Sequence, residues 1–146
     1  MGLLKVEGVT HWSIPVNNLE EAEAFYRDVL GLEYKGRLGN SNMSCFTAGS
    51  HSILLCQRKE PIVRTPEQDN HLHHAFDVSP EMFEKGCKLF HDKGIPIVQP
   101  IVYRAKGFFT GREIYFLDPS GNILELRDAT WKPGMPTPTH EEIARS

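Results

Sequence analysis

Residues 71–76 read His71-Leu72-His73-His74-Ala75-Phe76, so three of the chain's seven histidines fall within six positions. Imidazole serves near neutral pH as acid, base or metal ligand, and its surroundings decide which. Alternate residues of a strand share a face. His71, His73 and Ala75 then lie on one side, with His74 and Phe76 on the other. An earlier strand-like run, "THWSIPV", puts His11, Ser13 and Pro15 on one side. A later one, "NILELRD", puts Glu125 beside Ile123 and Arg127. A strand histidine is more often exposed than a ligand, and a glutamate usually faces water. A carboxylate between Leu124 and Leu126 in an apolar strand needs a partner if it is buried. A divalent cation held by two neutral imidazoles supplies one. Two His and one carboxylate form a facial triad with positions left open for substrate or oxygen. His11, His73 and Glu125 are the candidate metal ligands.

The elements around these residues repeat. After Val9–Val16, "NNLEEAEAFYRDVLG" has apolar residues at helical spacing. Asn18 and Glu21 are placed for a capping box, and Gly31 for the stop. Short strand-like runs follow, "LEYKGRL", "SCFTAG" and "HSILLCQ", and then a Pro-containing, charged linker over 59–70. "HHAFDV" restarts the pattern. Ser79 and Pro80 open a second helix, Gly94 stops it, and "IPIVQP", "IVYRA", "REIYFL" and "NILELRD" read as strands. Asp118-Pro119-Ser120-Gly121 has turn chemistry. The offset of 62 (73 − 11) that carries His11 to His73 also carries Val16 to Val78 and Gly49 to Gly111. Such self-similarity signals a duplicated strand, helix, three-strand unit. The Pro-rich stretch 129–146 is expected to be loose or to wrap on a neighbour.

Composition bounds the rest. A chain of 146 residues suits one domain and can bury a core without disulfides. The net charge of −3 argues against nucleic acid as a partner. No apolar run is long enough to span a membrane, and the N-terminus lacks a signal-peptide pattern. Cys45, Cys56 and Cys87 are odd in number and widely spaced, as free thiols in a reducing cytoplasm are.

"THWSIPVNNLEEAEAFYRDVLGLEYKGR", "HHAFDV" and "IYFLDPSGNILEL" resemble the vicinal oxygen chelate superfamily, over roughly residues 6 to 128. That superfamily includes glyoxalase I, fosfomycin-resistance thiol transferases, bleomycin-resistance proteins, methylmalonyl-CoA epimerase and extradiol dioxygenases. The resemblance implies paired βαβββ modules curled around a metal, and it places the family's ligands on His11, His73 and Glu125. The family's H-x-A-F motif selects His73 over His71 and His74. The four-ligand members carry a further Glu or Gln on the last strand of the first module. Laying "ILLC" over "ILEL" puts Leu55 opposite Glu125, and a one-residue slip puts Cys56 there. Neither suits that chemistry. Tyr115 matches the later half of the extradiol signature and can donate a hydrogen bond to a metal-bound substrate oxygen, or be an ordinary strand aromatic. The signature's upstream His is missing, since residues 106–108 are Lys106-Gly107-Phe108. His71 is the candidate substitute as acid or base, because it shares a face with His73. The phosphonate-binding pattern also departs here. Phe109 and Glu113 stand where small hydroxyls are expected, and Glu113 repels an anion.

The expected fold is α+β: two βαβββ modules, about 6–58 and 71–128, in one domain with the glyoxalase/bleomycin resistance/dioxygenase fold. The expected function is a cytoplasmic, homodimeric, divalent-metal-dependent enzyme that binds a small oxygenated substrate through adjacent oxygens. A dioxygenase-like oxidoreductase reaction leads. Thiol or water addition to an epoxide, as in fosfomycin resistance, or a glyoxalase-like isomerisation is the alternative. A metal-free drug-binding protein is a third reading. Fe²⁺ or Mn²⁺ suits the triad best, with Zn²⁺, Ni²⁺ and Co²⁺ as alternatives.

Overall fold

The computed structural model describes residues 2–39, 42–61, 63 and 71–146. Most of the expected linker, 62 and 64–70, lies outside the described residues. The chain forms two compact units, Met1–Ile62 and Val63–Ser146.

In the first unit β1 (His11–Val16) leads into α1 (Leu19–Ala24), which runs on as a π-helical stretch, Phe25–Val29. The Asn18 side chain caps α1, its Oδ1 accepting from the Glu21 N–H at 2.9 Å. Within the π-helical stretch the Leu30 N–H reaches the Phe25 carbonyl at 3.1 Å. Phe25 and Tyr26 are both buried there. Gly31 leaves the helix at φ +73°, a conformation that glycine adopts without a Cβ clash. Three strands follow: β2 (Glu33–Arg37), β3 (Met43–Ala48) and β4 (His51–Gln57). The sheet order is β1-β4-β3-β2, with β1 parallel to β4 and the other pairs antiparallel. Ile14, Val16, Phe46, Ile53 and Leu55 are buried with Leu19, Ala22 and Tyr26 of the helix. Alternation therefore leaves His11, Ser13, Leu54 and Cys56 on the opposite face.

The second unit repeats this order. β5 (His73–Asp77) precedes α2 (Pro80–Asp92), and β6 (Ile97–Arg104), β7 (Gly111–Leu117) and β8 (Ile123–Asp128) follow. The sheet order is β5-β8-β7-β6, again with the first and last strands parallel. Ser79 Oγ caps α2 by accepting from the Met82 N–H at 3.2 Å. Phe90 stacks on Phe116 with ring centroids 4.2 Å apart. The 118–121 turn closes through the Gly121 N–H and the Asp118 carbonyl at 3.0 Å. Asp118 Oδ1 also accepts from the N–H groups of Ser120 and Asn122.

Three expectations change. "IPIVQP" and "IVYRA" form one strand, β6, whose register shifts between Ile97 and Val102. Pro100 has no N–H to donate, and an edge strand absorbs that loss in a bulge. The residues after Asp128 are not loose. They end in α3 (His140–Arg145), which packs on α2. Trp131 and Ile143 are buried, Trp131 Nε1 donates to the Pro136 carbonyl at 3.0 Å, and the Tyr103 hydroxyl donates to the Pro138 carbonyl. Composition suggested a tail either loose or wrapped on a neighbour; anchoring aromatics pin it to its own unit. Finally, His11 pairs with Ser52 while His73 pairs with Ile123, so Leu54 holds the position of Glu125. Leu55 points into the core instead. The strand still offers no carboxylate or amide there.

Candidate metal centre and active site

The cross-strand register of β5, β8 and β7 builds the site in rows. One row holds Ala75, Glu125 and Tyr115; the next holds Asp77, Arg127 and Glu113. His73 begins the same face one step earlier, opposite Ile123. These side chains line a cavity of about 480 Å³. The end of β6 adds Arg104, and the β6–β7 connection adds Lys106, Gly107, Phe108 and Phe109, as a further wall.

Glu125 is buried, 4 % exposed, at the floor. Its Oε2 lies 3.2 Å from His73 Nε2, and its Oε1 lies 3.2 Å from Arg127 Nε. Glu113 is also buried, 2 % exposed. It accepts from Arg104 Nε at 2.5 Å and from the Tyr115 hydroxyl at 3.1 Å, and lies 3.5 Å from Arg127 Nε. Burial opposes ionisation of both carboxyls, and their proximity splits them. Burial and then the Glu113 charge push Glu125 up to about 7. Glu113 ends below the ordinary glutamate value, because hydrogen bonds from Arg104, Glu125 and Tyr115 outweigh its burial. Burial, reinforced by the two carboxylates, pushes the Tyr115 phenol up to about 12. Tyr115 therefore keeps its proton at neutral pH and acts as a donor.

The sequence-derived residues fare differently. The second unit brings His73, Glu125 and Tyr115 together, with the His73 and Tyr115 rings edge to face at 5.3 Å. His11 stands exposed at the start of β1 in the first unit. His71 lies in the turn before β5, exposed, and does not line the cavity. Strand alternation does not extend to it, because β5 begins at His73. Glu113 read as an obstacle to anions, yet it is the hub of the ion-pair network. The signal was available: in "REIYF" Glu113 shares a face with Tyr115. Arg127 was placed beside Glu125 by the same alternation but given no role.

His73 and Glu125 fit a divalent cation. Imidazole and carboxylate are the donor types that such ions take. Their 3.2 Å separation suits two neighbouring donors of one ion, each bonding at about 2.1 Å. A cation would also relieve a carboxylate that is desolvated beside a second anion. Among the described residues, no three or more His, Cys, Asp or Glu side chains are already gathered as a cage.

The sequence profile described as the Glyoxalase/Bleomycin resistance protein/Dioxygenase superfamily matches residues 8–126. The glutathione transferase FosA of Serratia marcescens is 26 % identical over 121 residues, 83 % of this chain and 80 % of that protein. The metallothiol transferase FosB of Staphylococcus epidermidis is 23 % identical over 132 residues, 90 % of this chain and 89 % of its own. A glyoxalase/dioxygenase structure from Nostoc punctiforme superposes with a TM-score of 0.71 at 23 % identity, covering 88 % of this chain and 97 % of that one. A glutamate-to-glutamine variant of the fosfomycin resistance protein FosX from Listeria monocytogenes was solved with Mn(II) and 1S,2S-dihydroxypropylphosphonic acid. It superposes with a TM-score of 0.68 at 21 % identity, covering 86 % of this chain and 95 % of that one. The α+β arrangement of two four-stranded mixed sheets is the fold these proteins share. The chain belongs to the Glyoxalase/Bleomycin resistance protein/Dioxygenase superfamily.

Proposed function

We propose that the protein is a divalent-metal-dependent enzyme that adds a thiol or water to a small oxygenated electrophile of the epoxide type. One observation carries the metal: His73 Nε2 lies 3.2 Å from a buried Glu125 carboxylate on a cavity floor. His11 is the further ligand in this reading, because it holds in the first sheet the position that His73 holds in the second. The transferase names of FosA and FosB support the addition chemistry. That reading now stands ahead of the dioxygenase-like one. The dioxygenase pattern wants a His where the cavity wall has Lys106-Gly107-Phe108.

The ion, when bound, acts as a Lewis acid on the substrate oxygens. The chain's own residues do the rest. Tyr115, protonated at neutral pH, turns its single O–H from Glu113 to an oxygen that gains charge as the ring opens. Glu113, Arg104 and Arg127 hold that phenol in place through their mutual contacts. In the overall step a C–S or C–O bond forms, the epoxide C–O bond breaks, and the nucleophile's proton ends on the released oxygen. Nothing is oxidised or reduced. Mn²⁺ or Fe²⁺ remains the favoured ion, and the homodimer and cytoplasmic location remain parts of the proposal. Among the described residues no helix is long and apolar enough to cross a membrane.

The test measures bound metal in the wild type, His11→Ala, His73→Ala and Glu125→Gln, with thiol consumption on an epoxide and oxygen uptake on a catechol. Metal loss in the variants together with thiol consumption supports the reading. Equal metal in all four overturns the site, and oxygen uptake without thiol consumption overturns the reaction.

A further inference from the structure

The connection from β6 to β7 holds chemistry that the metal reading does not use. Phe108 is 101 % exposed and Phe109 69 % exposed, side by side on the cavity wall. Single exposed apolar residues are ordinary. Two adjacent phenylalanines at the mouth of a cavity are an apolar surface without a cover. Phe109 is also oriented: its ring centroid lies 5.2 Å from the Arg127 guanidinium, whose Nη2 donates to the Thr110 carbonyl at 3.1 Å. The wall therefore presents a fixed aromatic ring with a second one free beside it.

The charges of the cavity can be paired off. Arg104 is bound to Glu113. Arg127 is shared by Glu113, Glu125 and Asp77. Lys106 makes no hydrogen bond or ion pair among the described residues, and it adjoins the two phenylalanines. One uncommitted positive charge beside an aromatic wall suits a ligand with one negative charge and a flat apolar body. A small dianion such as a phosphonate would find the arginines already occupied and Glu113 beside them. A cavity of about 480 Å³ also has room for more than a three-carbon substrate.

We propose that the electrophile taken by this site is carried on a planar aromatic body with one negative charge, its ring against Phe108 and Phe109 and its charged end met by Lys106. This substrate class rests on the catalytic reading above, but its test does not depend on the metal. Binding of 2-naphthoate to the full-length protein is measured by calorimetry, once with Mn²⁺ and once with EDTA. The neutral 2-naphthamide, the non-aromatic cyclohexanecarboxylate and the small dianion methylphosphonate are the comparisons. In both conditions 2-naphthoate should bind more tightly than the last two. Phe108→Ala and Phe109→Ala should each weaken it about 2- to 10-fold. Phe108→Leu, which keeps apolar bulk without the ring, should fall in between. Lys106→Gln should weaken 2-naphthoate roughly 2- to 5-fold and leave 2-naphthamide unchanged. Melting temperatures confirm that each variant is folded. Variants that bind like the wild type overturn the proposal, as does tighter binding of methylphosphonate. Loss of a dimer in Phe108→Ala with 2-naphthoate binding intact would assign the phenylalanines to an interface instead. Equal metal in the wild type and Glu125→Gln would sink the metal reading alone.

Discussion

At the scale of single residues, alternation separated His74 from His71 and His73, the resemblance's H-x-A-F motif chose His73, and the β7–β8 register set Glu125 and Tyr115 on one face. What alternation could not supply is which carboxylate keeps its proton. That depends on the burial of both carboxyls, on their closeness across the β7–β8 register and on Arg104 bonding to Glu113. Tyr115→Phe removes the donor and leaves the ring. It is expected to lower kcat about 10- to 100-fold with bound metal unchanged, as steady-state kinetics and metal analysis would show. Asp128 gives a pH prediction on the other face of β8. It is 1 % exposed; burial opposes its ionisation, but the Thr130 hydroxyl and N–H and the Arg112 guanidinium at 2.8 Å hold it below the usual aspartate value. A carboxyl with a lowered folded pKa stabilises the protein above its unfolded value, near 4, and that contribution fades as pH falls through the folded value. Asp128→Asn should cost about 2–4 kcal/mol at pH 7 and flatten the loss of stability below pH 4 in urea titrations.

At the scale of elements, caps and stops were legible because their chemistry is local. Asn18, Ser79, Gly31 and Gly94 all act where the sequence places them. The helix ends and most strands followed. The continuous β6 did not, because a bulge around Pro100 depends on lying at the sheet edge. Gly111 shows how tightly the β7 start is fixed. Its φ is +125°, and a Cβ there would meet the Asp128 carbonyl oxygen at 2.4 Å. Gly111→Ala should therefore destabilise by about 3 kcal/mol or more in chemical denaturation, since strain and a backbone clash add. The C-terminal segment is likewise an element with a role. Trp131 is buried against Tyr103, ring centroids 5.0 Å apart, and His140 Nε2 sits 2.9 Å from the Cys87 carbonyl. Trp131→Ala should cost about 3–5 kcal/mol. Burial pushes the Cys87 thiol up to about 12. Deleting residues 130–146 should expose Cys87, and its reaction with a thiol reagent should change from slow to fast.

At the scale of the whole molecule, ligand linkage connects the site to stability. An ion that binds the native state and not the unfolded chain stabilises by about 2.7 kcal/mol at one hundred times its Kd. Mn²⁺ should therefore raise the wild-type melting temperature with concentration, and EDTA should reverse the rise. His73→Ala and Glu125→Gln should respond to neither. A chain of this family that took a drug without metal would show no such dependence, so calorimetric scans separate the enzyme from the binding protein.

The sequence by itself determined the duplication, the caps and the strand faces. Each of these follows from local backbone periodicity and from the types of neighbouring side chains. Only the tertiary structure decided that Leu54, not Leu55, stands where Glu125 does. It alone seated Glu113 among Arg104, Arg127 and Tyr115, and docked the C-terminal helix on α2. Those outcomes turn on register between strands and on contacts between residues far apart in the chain. Periodicity along one strand carries no information about its offset from the next.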